Sequence, residues 1–223
     1  MKSNKRLILL VLTVFSVCSI MILIESVFQP VYAVKSLCKV ILFLGIVFLY
    51  LKLVNNTFKP TVLQRKKATE LKRVALLSGI VYLLILLLYF LLANYIDTVQ
   101  IKESLMRKEG IDKQSFIFIA IYISLINSFL EEYFFRGFIF QQLKQLGFQR
   151  FAYIFSATAF AIYHVGIISR WFSVPMFVLI SAALFLAGIA LNVFCHYTES
   201  VLGSWVIHVS ANLAINTIGS MIL

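Results

Sequence analysis

Three ionisable residues stand close together inside one strongly apolar stretch of the chain. The segment EEYFFR, residues 131–136, lies between a long apolar run that begins at Phe116 and the apolar segment GFIF. Ionised side chains are costly in the middle of a bilayer, so they seldom occur there without a function. Two carboxylates and a guanidinium can brace a fold, or they can supply an oriented base for proton transfer.

Helical geometry gives the two glutamates different neighbours. Each residue of an α-helix turns the chain by about 100°. Glu132 and Arg136 are four residues apart, so they share a face and are predicted to form an ion pair. Glu131 lies about 140° from Arg136 by the same count and faces elsewhere. We expect the pair to brace the fold or orient a site, and we expect Glu131, without an ion-pair partner, to perform chemistry.

Polar residues on two later apolar segments are candidate partners for Glu131. The motif FAIYH contains His164, and the motif HVSAN contains His208 and Asn212, one helical turn apart. Polar groups in lipid must contact one another or line a wet cavity. The sequence therefore predicts one central polar pocket that these residues share.

Such a pocket could hydrolyse an amide bond. A carboxylate can take a proton from water, and imidazole and amide N–H groups can donate hydrogen bonds to the oxyanion that forms. Zinc is the alternative, since Glu131, His164 and His208 also form a set of metal ligands. The helical HExxH spacing of many zinc peptidases is absent from the sequence. The residues alone leave the cofactor open between none and a divalent metal.

The composition places these residues in a polytopic membrane protein. Of 223 residues, 61% are hydrophobic and 13% are charged, against roughly 45–50% and 25% in soluble domains. A helix needs about 20 apolar residues to cross the hydrocarbon core. We predict an all-α membrane helix bundle, and an eighth membrane element within residues 97–113 is the alternative to seven. The predicted spans are Leu7–Phe28, Ser36–Val54, Val74–Ile96, Phe116 to about Phe140, Phe151–Ser169, Phe172–Phe194 and Val201–Ile222.

Counting residues from the ends of these spans predicts the depth of the candidate site. Glu131 and His208 come out roughly 10 Å from the cytoplasmic side. His164 comes out closer to roughly 20 Å, which is deeper than the other two. A tilt, a kink or a shifted helix end is needed to bring all three together.

Basic residues predict the orientation of the bundle. The net charge is +11, and much of it lies at the N-terminus and in the loop of residues 55–73. The positive-inside rule then predicts a cytoplasmic N-terminus. We expect a multi-pass cell-membrane protein in contact with lipid and without a nucleic-acid partner. The oligomeric state stays open.

We expect two regions along the chain. Residues 1–110 are predicted to form N-terminal membrane helices with a basic cytoplasmic loop. Residues 111–223 are predicted to form the catalytic membrane core, because all the candidate site residues lie there.

The three motifs together resemble those of the CPBP family of intramembrane proteases (CAAX proteases and bacteriocin-processing enzymes, also called Abi). The family pattern is EExxxR, then FxxxH, then HxxxN or HxxxD, on successive membrane helices. EEYFFR, FAIYH and HVSAN match it in order, within roughly residues 115–220. The resemblance implies that Glu131 activates water with help from His164.

The same resemblance implies roles for the other motif residues. His208 and Asn212 would hold the oxyanion, and Glu132 and Arg136 would orient the first helix of the site. The implied activity is an intramembrane endopeptidase acting on a membrane-embedded peptide or protein. Bacteriocin self-immunity or peptide maturation are the implied roles in a bacterial plasma membrane. The resemblance leaves the metal open, with zinc as the candidate.

Two other functions are compatible with the same residues. A non-catalytic bacteriocin immunity protein could keep this fold without using the site. An ion or proton transporter could use Glu131 and the histidines as a relay, because intramembrane acids and imidazoles also carry protons. Transporters often contain paired broken helices or inverted repeats, and the sequence shows neither pattern.

Overall fold

Seven long helices form the part of the chain that the structure describes. The computed structural model describes residues 3–54, 68–108, 110–169 and 171–223, and seven helices in these ranges are long and apolar enough to cross a membrane. This confirms the predicted all-α polytopic bundle, and each helix overlaps its predicted span. The helices are α1 (Asn4–Phe28), α2 (Tyr32–Leu53), α3 (Lys72–Tyr95), α4 (Lys113–Gln145), α5 (Gln149–Ile168), α6 (Val174–Thr198) and α7 (Val201–Ile222).

The segment between α3 and α4 is too short to cross a bilayer. It forms a helix at Thr98–Glu103 that continues as a wider π-helical turn at Ser104–Lys108. Eleven residues reach about 16 Å, roughly half the thickness of the hydrocarbon core. The described part of residues 97–113 therefore contains no eighth span. Most of the predicted basic loop, residues 55–67, lies outside the described residues.

A capping residue determines where α4 begins. The carboxyl of Asp112 accepts hydrogen bonds from the backbone N–H groups of Ser115 at 2.7 Å and Gln114 at 3.1 Å. These hydrogen bonds lower the pKa of the Asp112 carboxyl, and the bond from Ser115 contributes the most. Aspartate is a favoured N-cap because it satisfies N–H groups that lack partners within the helix.

Helix α4 is longer than predicted and irregular around the two glutamates. It has 33 residues, more than the approximately 20 that a straight crossing needs. Two π-helical segments, Ile123–Asn127 and Tyr133–Phe140, flank a short α-helical segment, Ser128–Glu132. Such wide turns are frequent at functional sites, because they change the direction of the side chains that follow.

The extra length of α4 corrects the predicted depth of the site. The helix continues to Gln145 rather than ending near Phe140. As a result, Glu131 and His164 lie at nearly equal numbers of residues from the turn between α4 and α5. The predicted depth difference between these two residues was wrong because the helix end was predicted too early.

The apolar core surrounds the second half of α4. Its fully buried side chains pack against α2 and α5: the Phe134 ring stacks on Phe43 at 4.3 Å, and Phe135 meets Phe160 edge-on at 5.3 Å. Helix α3 packs mainly against α7. The outer faces carry exposed apolar side chains, including Phe15 at 70% exposure. That pattern is the one expected when lipid rather than water surrounds the bundle.

A buried ion pair ties α4 to its neighbours. As predicted, Arg136 Nη1 donates to Glu132 Oε1 at 2.9 Å, and both side chains are fully buried. Arg136 Nη2 donates to the carbonyl of Gly188 in α6 at 3.4 Å. The guanidinium also lies 4.3 Å from the centre of the Phe160 ring in α5. A Cβ at Gly188 would lie 2.9 Å from Cα of Ala157, so glycine allows α5 and α6 to approach this closely.

We predict that Arg136→Ala and Glu132→Ala both lower the yield of folded protein. Each change leaves a charged partner buried without its counter-ion, at a cost of about 3–5 kcal/mol. Size-exclusion chromatography and thermal unfolding in detergent measure the effect. The control is Lys144→Ala, because Lys144 contacts His196 at an exposed position, where an interaction contributes at most about 1 kcal/mol. Normal yield and melting of both variants would contradict a stabilising role for the pair.

Candidate active site

The structure brings Glu131 of α4 next to imidazoles from two other helices. Glu131 Oε2 lies 3.6 Å from His164 Nε2 in α5 and 3.7 Å from His208 Nε2 in α7. Glu131 is 2% exposed and His208 is 7% exposed. Three of the four residues that the sequence predicted in one pocket are therefore adjacent. Their catalytic role stays a prediction at this point.

His208 lies between the two glutamates. Its Nδ1 is 2.9 Å from Glu132 Oε1, while its Nε2 faces Glu131. An ionised carboxylate only accepts hydrogen bonds, so Nδ1 donates and the lone pair of a neutral ring is on Nε2. Arg136 and His208 therefore both contact Glu132. Helical spacing predicted the first contact and could not indicate the second.

His164 is held in the same tautomer by the main chain. Its Nδ1 donates to the carbonyl of Phe160, one turn earlier in α5, at 2.8 Å. A carbonyl can only accept, so the Nε2 that faces Glu131 carries the lone pair of the neutral ring. The imidazole packs against the rings of Phe160 at 4.5 Å and Tyr163 at 4.9 Å. The FAIYH motif thus supplies the ring, its hydrogen-bond acceptor and its packing.

The expectation that Glu131 has no ion-pair partner is wrong. Lys39 of α2 forms a salt bridge from Nζ to Glu131 Oε1 at 3.2 Å, and Lys39 is only 7% exposed. Asn127, one turn before Glu131, donates Nδ2 to the same oxygen at 2.9 Å. The Tyr163 hydroxyl donates to it at 3.4 Å. Lys39 was a visible signal, because it is a charge within a predicted span, but sequence alone did not identify its partner.

Asn212 packs against the first half of α4. Its Nδ2 donates to the carbonyl of Ile123 at 3.2 Å. Asn216, one turn further along α7, donates to the carbonyl of Ala120 at 3.1 Å and to Ser124 Oγ at 3.0 Å. The polar face predicted for α7 is therefore used in helix packing. An amide nitrogen has two N–H groups, so Asn212 keeps a second donor for another acceptor.

A divalent metal ion is the alternative that the sequence leaves open for this site. The donor types of Glu131, His164 and His208 suit zinc. However, the part of the chain that the structure describes contains no group of three or more His, Cys, Asp or Glu side chains placed to hold a metal ion. Lys39 also supplies a positive charge to the Glu131 carboxylate. We therefore derive no reaction step through a metal.

Comparison with known proteins agrees with the motifs. Residues 113–214 match a family model described as type II CAAX prenyl endopeptidase Rce1-like. No curated protein and no solved structure matches the chain. The matched segment contains every residue of the EEYFFR, FAIYH and HVSAN motifs, whereas Lys39 lies outside it. The resemblance to CAAX proteases is thus confirmed at the level of similarity: residues 113–214 of this multi-pass membrane chain are similar to the type II CAAX prenyl endopeptidase Rce1-like family.

Proposed function

We propose that the protein is an intramembrane endopeptidase that hydrolyses a peptide bond with a water molecule activated by Glu131. One observation carries the proposal: a single carboxylate oxygen, Oε2, faces the Nε2 atoms of both His164 and His208. When the rings are neutral, all three atoms accept hydrogen bonds. A water molecule among them could donate to Oε2 while a ring nitrogen accepts its second hydrogen, which orients its lone pairs for attack.

The reaction would then proceed in two steps. Water oxygen forms a bond to the carbonyl carbon of the peptide, and its proton goes to Glu131 Oε2. The carbon–nitrogen bond breaks, and the same proton goes from Glu131 to the leaving amine. His208 Nε2 can donate only when the ring is protonated, and in that form His208, together with Asn212, is proposed to donate hydrogen bonds to the oxyanion between the two steps. Glu132 supports His208 in this task, because it accepts a hydrogen bond from Nδ1 and so fixes the orientation of the ring.

The substrate is proposed to be a hydrophobic or membrane-associated peptide. The site residues are buried among helices whose outer faces are apolar, which favours a substrate that partitions into the bilayer. The family description names prenylated CAAX substrates, so a prenylated C-terminal peptide is the second substrate class to test. Bacteriocin self-immunity or peptide maturation is the proposed role.

We propose a bacterial plasma-membrane location with a cytoplasmic N-terminus. Basic residues cluster at one end of the bundle, where α1 begins and α2 ends. Arg6 and Tyr50 connect these two helix ends, since the Tyr50 hydroxyl donates to the Arg6 carbonyl at 3.2 Å. Positive charges at shared helix ends favour the cytoplasmic side.

We predict that Glu131→Gln and His164→Ala abolish or strongly reduce peptide cleavage, because each removes a group that contacts the attacking water. Purified protein in liposomes would be incubated with a hydrophobic transmembrane peptide and with a farnesylated CAAX peptide, and the products would be measured by mass spectrometry. The matched controls are Glu25→Gln, a lysine-paired acid of α1, and His196→Ala, the remaining histidine. Both controls should cleave at close to the wild-type rate.

Other outcomes of that experiment would favour the alternative functions. Undiminished cleavage by Glu131→Gln and His164→Ala would remove the proposed mechanism. Protection from a bacteriocin that survives Glu131→Ala would favour a non-catalytic immunity protein. Proton flux across the liposome membrane that depends on Glu131, without cleavage, would favour a transporter.

We predict that Asn212→Ala lowers turnover by ~100-fold, as expected when one oxyanion donor is lost. The matched control is Asn216→Ala, because Asn216 lies on the same face of α7 and also donates to α4. Both variants should lose a similar amount of thermal stability, while only Asn212→Ala loses turnover. Equal turnover in the two variants would show that Asn212 acts in helix packing alone.

We predict that purified active protein retains cleavage in a zinc chelator and contains zinc well below one ion per chain. The reason is that water activation is assigned to the Glu131 carboxylate and the two imidazoles. Inductively coupled plasma mass spectrometry and the liposome assay measure both properties on one sample. Stoichiometric zinc that is lost together with activity in His164→Ala and His208→Ala would require a metal-dependent mechanism instead.

A further inference from the structure

The two oxygens of the Glu131 carboxylate have different surroundings. Oε1 accepts hydrogen bonds from Asn127 at 2.9 Å, Lys39 at 3.2 Å and Tyr163 at 3.4 Å. Oε2 faces the two imidazoles at 3.6 and 3.7 Å. All three donors to Oε1 are buried. The carboxylate is therefore held in one rotation about its last bond, with a specific oxygen directed to the histidines.

Lys39 is the member of this set that comes from the N-terminal helices. Its Nζ contacts Glu131 Oε1 and also donates to Asn127 Oδ1 at 2.5 Å. Asn127 in turn donates to Glu131, so the three side chains form a closed hydrogen-bonded ring. The Lys39 ammonium also lies 5.0 Å from the centre of the Tyr163 ring. One cation thus contacts every other donor to Oε1.

We propose that Lys39 is a positioning residue for the peptidase reaction: it holds Oε1 of Glu131, so that Oε2 is the oxygen that takes the proton from water. This inference rests on the proposed function. Its physical basis is that a general base must be oriented as well as close to the proton it removes. Because Lys39 lies outside residues 113–214, α2 completes a site whose other members belong to the matched segment.

The competing explanation is that Lys39 only ties α2 to α4. The chain offers a matched comparison for this case, one turn earlier on α2. Lys35 is also buried, and its Nζ forms a salt bridge with Glu25 of α1 at 2.9 Å. Loss of Lys35 leaves the partly buried Glu25 without that bridge, and loss of Lys39 leaves the buried Glu131 without its own. A purely structural role predicts similar consequences for the two positions.

The first test compares kcat and KM for Lys39→Met, Lys39→Arg and Lys35→Met, normalised to the folded fraction. The probe is whichever of the transmembrane or farnesylated peptides the wild type cleaves. We expect Lys39→Met to lower kcat by ~100-fold, the size of loss that a misplaced reacting group causes, with KM nearly unchanged. Lys39→Arg should recover part of kcat, and Lys35→Met should leave kcat close to the wild-type value.

The second test measures the contact without using activity. Thermal unfolding in detergent would be compared for Lys39→Met, Glu131→Gln and the double variant. Residues in direct contact give non-additive changes, whereas independent residues give additive ones. We expect a smaller loss of melting temperature from Lys39→Met in the Glu131→Gln background. Additive losses would overturn the inference.

The outcomes separate this inference from the proposed function. If the wild type cleaves a peptide and Lys39→Met has the same kcat as Lys35→Met, the positioning role is wrong and the peptidase assignment stands. If the wild type cleaves neither peptide, the proposed function fails and the inference fails with it. If kcat and KM change to the same extent in both lysine variants, Lys39 has a structural role only.

Discussion

The Glu131 carboxylate must be stabilised inside a bundle that excludes bulk water, and much of the architecture follows from that requirement. Removing a charge from water costs several kcal/mol unless it is paired and hydrogen-bonded. In this protein Lys39 supplies the opposite charge, and Asn127 and Tyr163 supply further hydrogen bonds. These contacts leave one oxygen directed to the two imidazoles. A residue that is unfavourable in lipid becomes an oriented base because helices α2, α4 and α5 converge on it.

The second glutamate links the stability of the fold to the geometry of the site. Glu132 accepts from the fully buried Arg136 and from Nδ1 of His208. Arg136 in turn contacts α5 and α6 through Phe160 and Gly188. A change that disturbs the ion pair therefore also moves an imidazole of the site. The two adjacent carboxylates of α4 have different tasks because they pair with cations from different helices. Lys39 of α2 pairs with Glu131, whereas Arg136 of α4 itself pairs with Glu132.

Local sequence patterns predicted the features that depend on spacing within one helix. Apolar segment length identified the seven spans, and the four-residue separation identified the Glu132–Arg136 pair. Features that depend on how helices align were not accessible. The Lys39 partner depends on the register of α2 against α4, and the Glu132–His208 contact depends on the register of α7 against α4. The π-helical segments, which redirect the side chains of α4, also have no simple sequence signal.

The most direct test of this account is a measurement of distance between lysine nitrogen and glutamate carboxyl carbon in the bilayer. Solid-state NMR dephasing would be recorded on protein labelled with ¹⁵N at lysine Nζ and ¹³C at glutamate Cδ. We expect close lysine–glutamate contacts in the wild type, one of which is lost in Lys39→Met and another in Lys35→Met. Dephasing that is unchanged in Lys39→Met would show that Lys39 does not contact Glu131 and would contradict the central claim.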